Sequence, residues 1–294
     1  MRGVAILMII VGHVSGTMHT AIFTPLGGTG VALFLALSGF GLNESFKRSG
    51  LKGFWKKKIL RVFLPYALIV IIIYLVRGYP FDKTFWLDVL CIKTGYWFIA
   101  YLVKWYMVFY LLTRFAIQYR IAAMLVVSVG ILFLFPNIEA EQAFSFFFGV
   151  LASEKIEAIH SFSSKKVIMV ATISFLLGIG CLALKQIPEV RVHQEDWLMN
   201  LVQCCIKLPL AIGIMTSLIF VPMVLKSPLL KLAGLISFEL YLVHFPFYLM
   251  VNGNVIYALL LIVISFVVAS LFYKFNGYVS SRLNQINFKN FKEI

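Results

Sequence analysis

The chain has 294 residues, 61% of them hydrophobic and 13% charged, with 26 basic against 12 acidic side chains. Soluble domains are roughly 45–50% apolar and 25% charged, so this composition excludes disorder, collagen, coiled coil and a small disulfide-stapled fold, and leaves a soluble enzyme too little polar surface. With a mean hydropathy of +0.94, the remaining class is an all-α, polytopic bundle of transmembrane helices, because the Phe, Ile, Leu and Val runs lack the alternation of barrel strands.

At roughly 20 residues per span, ten apolar segments can be drawn: 3–17, 30–45, 59–77, 95–113, 121–136, 142–152, 167–184, 200–225, 232–251 and 254–273. In segment one, Arg2 and His13 are eleven residues apart, about 20° from three full turns, so they share a face and stand about 16 Å apart along the axis. No small-residue cleavage site follows this run, so it does not read as a cleaved signal peptide. An imidazole near neutrality can take a proton from a hydroxyl, and ionisable groups inside spans are functional by default. The competing reading is a histidine hydrogen-bonded across helices for packing.

Gly27, Gly28 and Gly30 permit a tight turn into segment two. Within it Ser38, Gly39 and Gly41 are small enough for close helix packing, and the spacing is not that of a phosphate-binding loop. The following basic stretch, 47–61, carries seven cations. Lys58 and Arg61 are three apart and share a helical face. Two such cations at the mouth of a bundle can hold a phosphate-bearing ligand, although a topology signal or an anionic-lipid contact would look the same.

In segment four, Trp97, Tyr101 and Lys104 form one stripe, with Lys104 about 12 Å from the segment's start. That depth is hard to reconcile with snorkelling, whereas Lys207, seven residues into segment eight, fits it. Segment six is too short for a straight crossing of about 30 Å. Segment nine carries Ser237, Tyr241, His244 and Tyr248 at i, i+4, i+7 and i+11, one polar stripe, with Glu239 pointing elsewhere. On straight helices His13, Ser38, Lys104 and His244 fall in the outer half or near the midplane, and Arg2, Lys58 and Arg61 at the inner rim.

With both termini cytoplasmic, 19 basic residues fall inside and 5 outside, while acids divide four to seven. That satisfies the positive-inside rule; the basicity reads as topology and not as a nucleic-acid signal. Cys91, Cys181, Cys204 and Cys205 form no CxxC pair, so neither a disulfide framework nor a metal site is expected.

Several blocks resemble the acyltransferase 3 family of integral-membrane O-acyltransferases. Arg2-Gly3-Val4-Ala5-Ile6-Leu7 with Gly12-His13 looks like the family's opening. Gly30, Val31 and Phe34, then Leu37-Ser38-Gly39-Phe40, are similar to its second-helix signature. The basic stretch from Phe54 to Pro65 resembles its Arg-x-x-Arg loop, Tyr96-Trp97-Phe98-Ile99 its fourth-helix opening, and the run from Ser237 to Pro246 its late motif. Lys58 stands where the family has arginine and Phe238 where tyrosine is usual.

The resemblance implies transfer of an acyl group, acetyl before longer chains, from cytoplasmic acyl-CoA to a hydroxyl of a cell-surface glycan or its lipid-linked precursor, in a bacterial plasma membrane and without a metal. His13 takes the family's histidine position and Arg61 its loop arginine. The expected assignment places His13, Lys104 and His244 in catalysis, with His13 as general base and the other two or Tyr101 at the oxyanion. Arg2, Lys58, Arg61, Ser38, Trp97 and Tyr101 are expected at the donor, residues 1–275 as the catalytic domain and 276–294 as a basic cytoplasmic tail. Membrane lipids are expected partners, nucleic acid is not, and a homo-oligomer is left open. The alternative is a transporter or flippase without acyl transfer, whose marks would be inverted repeats and paired broken helices.

Overall fold

The computed structural model describes residues 1–18, 21–194 and 196–290, which form helices and turns with no strand among them. In chain order the main helices are α1 (Arg2–Thr17), α2 (Thr24–Ser49), α3 (Phe54–Arg77), α4 (Trp97–Phe115), α5 (Ile117–Leu134), α6 (Ser145–Glu154), α7 (Ser164–Leu184), α8 (Trp197–Ser217), α9 (Ser237–His244) and α10 (Val255–Asn290). Seven among the described residues are long and apolar enough to cross a membrane: all of these but α1, α6 and α9.

The three others are shorter. Helix α1 has 16 residues, about 24 Å of rise, and α6 has 10, about 15 Å. The ninth segment, expected as one helix, is broken. Pro246 has no N–H and cannot continue a ladder, so α9 stops at His244 and the chain goes on as a 3₁₀ turn, Tyr248–Val251, followed by Asn252 at φ 40°. The stripe predicted from Ser237 to Tyr248 therefore ends at His244. Helix α10 runs past residue 275 to Asn290.

The chain divides into two compact units. The first comprises Met1–Gly16, Thr20–Leu51 and Trp97–Leu235. Small residues let its helices approach closely, as expected where packing and not a hydrophobic gradient drives association. Gly39 of α2 lies against the Phe146 carbonyl, and Gly149 of α6 against that of Ala36, so a methyl on either would meet backbone. Gly12 of α1 likewise lies against the backbone of Gly27 of α2. Helices α7 and α8 pair through Gly178 against Leu210 and Gly213 against the Phe175 ring.

A polar network closes the end of this unit that carries Lys47 and Arg48. Buried Asn43 donates to Ser153 Oγ at 2.9 Å and to Glu154 Oε1 at 2.8 Å. Arg120, itself buried, pairs with the same carboxylate at 2.5 Å and lies over the Phe46 and Phe109 rings. Each buried charge here has an opposite partner, which is the condition for keeping it charged.

The second unit comprises Thr17–His19, Lys52–Tyr96 and Ile236–Ile294. Pro65 shapes α3: its ring crowds the carbonyl four residues back, and the ladder widens to a π-turn over Ile59–Phe63, where Leu64 N–H donates to Ile59. Farther on, Asp82 caps the short helix Lys83–Val89 through the Thr84 and Phe85 N–H groups. Tyr96 packs edge-on to Tyr66 at 5.6 Å and donates to the Leu242 carbonyl at 2.8 Å.

Candidate active site

The first unit carries an open cavity of about 520 Å³, inside the roughly 300–1,000 Å³ range of small-molecule sites. Helix α1 brings Gly12 and His13 to it; the first turns of α2 bring Thr24, Gly27 and Gly28; α4 opens on it with Trp97. Glu141 and Gln142 arrive from the turn before α6, Leu182 and Lys185 from the end of α7, and Gln203, Ile206 and Lys207 from α8. Its floor is buried at Gly12, Gln142 and Ile206, and its rim is exposed at Gln186 and Arg191. It lies by the N-terminal turn of α2, with Lys47 19 positions after Gly28, about 28 Å along the helix toward the basic end.

The local sequence explains this placement. Backbone contact between Gly12 and Gly27 holds α1 against α2 and so sets the next residue, half-buried His13, at the wall. Gln142 Nε2 donates to the Gly28 carbonyl at 2.9 Å, and its Oε1 accepts from Ser145 Oγ at 3.0 Å. Gly28 leaves the space through which the Lys207 stem passes, and Lys207 Nζ ends on the Glu141 carboxylate. Both side chains of that pair are mostly buried, at 12% and 19% exposure.

Lys185 and Arg191 add positive charge at the rim. The Lys185 ammonium is pushed below the ordinary lysine range, first by burial and then by repulsion from Arg191. Chemically, the cavity offers one imidazole able to accept a proton, one closed ion pair, two rim cations, amides for hydroxyl hydrogen bonds and the flat apolar face of Trp97.

Of the residues singled out from the sequence, His13 and Trp97 line this cavity together. Lys104 and Tyr101 do not; they line a separate groove of about 170 Å³ with Trp105 and Phe135. Lys104 Nζ sits 2.8 Å from both carboxylate oxygens of Glu139 and over the Phe135 ring, so its depth is met by an ion pair and not by the His13 cavity. Tyr101 is fully buried. Ser38 donates to the Phe34 carbonyl at 2.8 Å within its own helix. The Arg2 guanidinium lies beside Gly41, far along α1 from His13.

In the second unit, His244 is fully buried and its Nδ1 is 2.7 Å from the Leu240 carbonyl. Lys58 lies over the Phe54 ring, and the π-turn presents Arg61 as an exposed side chain. Glu239 accepts from Asn276 Nδ2 at 3.3 Å.

Sequence reasoning missed Glu141, Gln142 and the role of Lys207. The snorkelling explanation of Lys207 is corrected by its pairing with Glu141. A signal was available. Two lysines sit inside apolar segments, at 104 and 207, and two glutamates sit two residues apart, at 139 and 141, beside a weak segment. Charges taken into an apolar interior need opposite partners, and the counts matched. Lys185 and Arg191 read only as loop charges, because nothing local shows that the α7–α8 connection folds over the end of α1.

The acyltransferase 3 family model, described as an acyltransferase domain, matches residues 1–274. No curated protein matches the chain, and no solved structure does.

Proposed function

Starting from a chain that belongs to the acyltransferase 3 family and is in general terms a membrane acyltransferase, we propose that it moves an acetyl group from acyl-CoA to a hydroxyl of a cell-surface glycan or its lipid-linked precursor. The observation that carries this reading is the His13 cavity: a ligand-sized space in which an imidazole meets amides, an aromatic face and rim cations.

His13 is the general base. It takes the proton of the acceptor hydroxyl as that oxygen attacks the thioester carbonyl; the carbon–oxygen bond forms, the carbon–sulfur bond breaks, and the proton passes from His13 to the departing thiolate. The donor supplies the activated acyl carbon. Exposed Arg61 and half-buried Lys58 on the π-turned segment of α3 fit its phosphates in charge, Arg61 by a planar fork and Lys58 as a point charge. Lys104 takes no part in this scheme, because Glu139 occupies its ammonium. Trp97 provides a flat wall against which a sugar ring can lie.

The test is His13→Ala in purified protein that elutes from size exclusion as the wild type does, followed with acetyl-labelled acetyl-CoA and surface glycan as acceptor. A fall in kcat of roughly 10²–10⁴-fold is expected for loss of a general base. Undiminished transfer removes His13 from the chemistry, and movement of the glycan across a vesicle without acylation supports a transporter instead.

A further inference from the structure

The cavity's charge balance bears on what enters it. Four charged side chains besides His13 line it: Glu141, Lys185, Arg191 and Lys207. Glu141 and Lys207 satisfy each other. Lys185 and Arg191 are left over, since among the described residues neither makes an ion pair. The contact that Arg191 does make is with the Gln186 side-chain oxygen, a neutral group. The two cations stand close enough to repel each other, and they face one concave space. Such an arrangement carries a repulsion that a bound anion would remove.

A bland explanation exists for each cation alone. Lys185 caps the end of α7, and Arg191 sits in the last turn of the short helix Pro188–Arg191; a positive charge is favourable at a helix C-terminus. Helix-end charge does not require both to line the same cavity as His13, Gln142 and Gln203, which they do.

We infer that the acceptor carries an anionic group, a carboxylate or a phosphate, which docks on Lys185 and Arg191 at the rim while the acceptor's hydroxyl reaches His13. The inference rests on the proposed function, because it names the substrate class of the same cavity. Arg191 offers a fork that matches either anion in two hydrogen bonds, Lys185 adds a point charge, and the amide of Gln203 suits a neighbouring sugar hydroxyl. The Glu141–Lys207 pair contributes no net charge deeper in, so the attraction is concentrated at the rim.

Binding and transfer, measured separately, test this. Purified protein would be titrated with maltotetraose as the neutral probe, a glucuronate-containing tetrasaccharide as the carboxylate probe and mannose 6-phosphate as the phosphate probe, and transfer from acetyl-CoA would be followed with each. At least one anionic probe is expected to bind roughly tenfold or more tightly than maltotetraose, the gain of one or two charge-assisted hydrogen bonds. Lys185→Gln/Arg191→Gln is expected to erase that difference and leave the KM for acetyl-CoA unchanged, while the charge-preserving Lys185→Arg retains it. Which anionic probe wins separates carboxylate from phosphate. Equal binding of all three probes overturns the inference, as does a double variant that keeps the preference or instead weakens acetyl-CoA. If the charge-dependent binding holds but no probe is acetylated, the anion site stands and the proposed function fails.

Discussion

Helix contact at Gly12 is expected to control catalysis through His13, and Gly12→Ala tests it. A methyl at Gly12 would stand 2.5 Å from both Cα and N of Gly27, where ordinary contact begins at 3.4 Å. Both atoms are backbone and cannot rotate away, so α1 and α2 must separate by about 1 Å, an overpacking cost of roughly 1–3 kcal/mol. His13 is the next residue. A displacement of about 1 Å in a reacting group costs on the order of 100-fold in rate, so Gly12→Ala is expected to lower kcat by that factor while the protein remains folded. The geometry supplies two controls. The methyl of Gly27→Ala would sit 3.4 Å from Gly12 Cα, and that of Gly16→Ala, on the same helix as His13, would meet nothing within 4 Å; both are expected to keep near-native rates. The assay is initial rate of label transfer from acetyl-CoA, with size exclusion as the fold check. A folded Gly12→Ala within roughly threefold of wild type, a barrier change of about 0.65 kcal/mol, would refute the claim that this contact positions the base.

Further outcomes follow from the charge pairs and the basic segment. Glu141→Gln strands Lys207 in a largely buried place and is expected to cost about 3–5 kcal/mol, while Glu141→Leu with Lys207→Met recovers most of it; labelling of buried Cys204 by a thiol-reactive dye during heating reads the loss. Lys104→Met with Glu139→Gln is expected to leave transfer within roughly threefold of wild type, because that pair lines a different groove; a large fall in kcat would return Lys104 to the mechanism. Arg61→Gln is expected to raise the KM for acetyl-CoA about tenfold with little change in kcat, the loss of one bidentate phosphate contact, measured by steady-state kinetics over a range of donor concentration.

Composition and periodicity alone determined that this is an all-helical chain with many apolar segments, because a helix is the cheapest way to satisfy backbone groups in an apolar medium and its signature is local. They also picked out His13, since an ionisable side chain in an apolar run is visible without neighbours. The motifs around it, with Arg61 and the stretch from Ser237 to Pro246, were enough to suggest the family to which the chain belongs. Helix breaks were only partly legible: Pro246 stood in the sequence, yet continuous apolarity through 251 hid the stop that its missing N–H imposes.

The cavity itself was decided by tertiary structure. Sequence spacing reports which residues share a face of one helix, and it suggested that Lys104 belonged with His13. Which carboxylate answers which lysine depends on contacts between residues far apart in the chain: Glu139 with Lys104, and Glu141 with Lys207. These pairings remove both lysines as free charges and leave Lys185 and Arg191, from a connection that reads as ordinary loop, to set the character of the rim. Local pattern records burial and periodicity; charge compensation in a packed interior is a long-range property, and only the folded chain settles it.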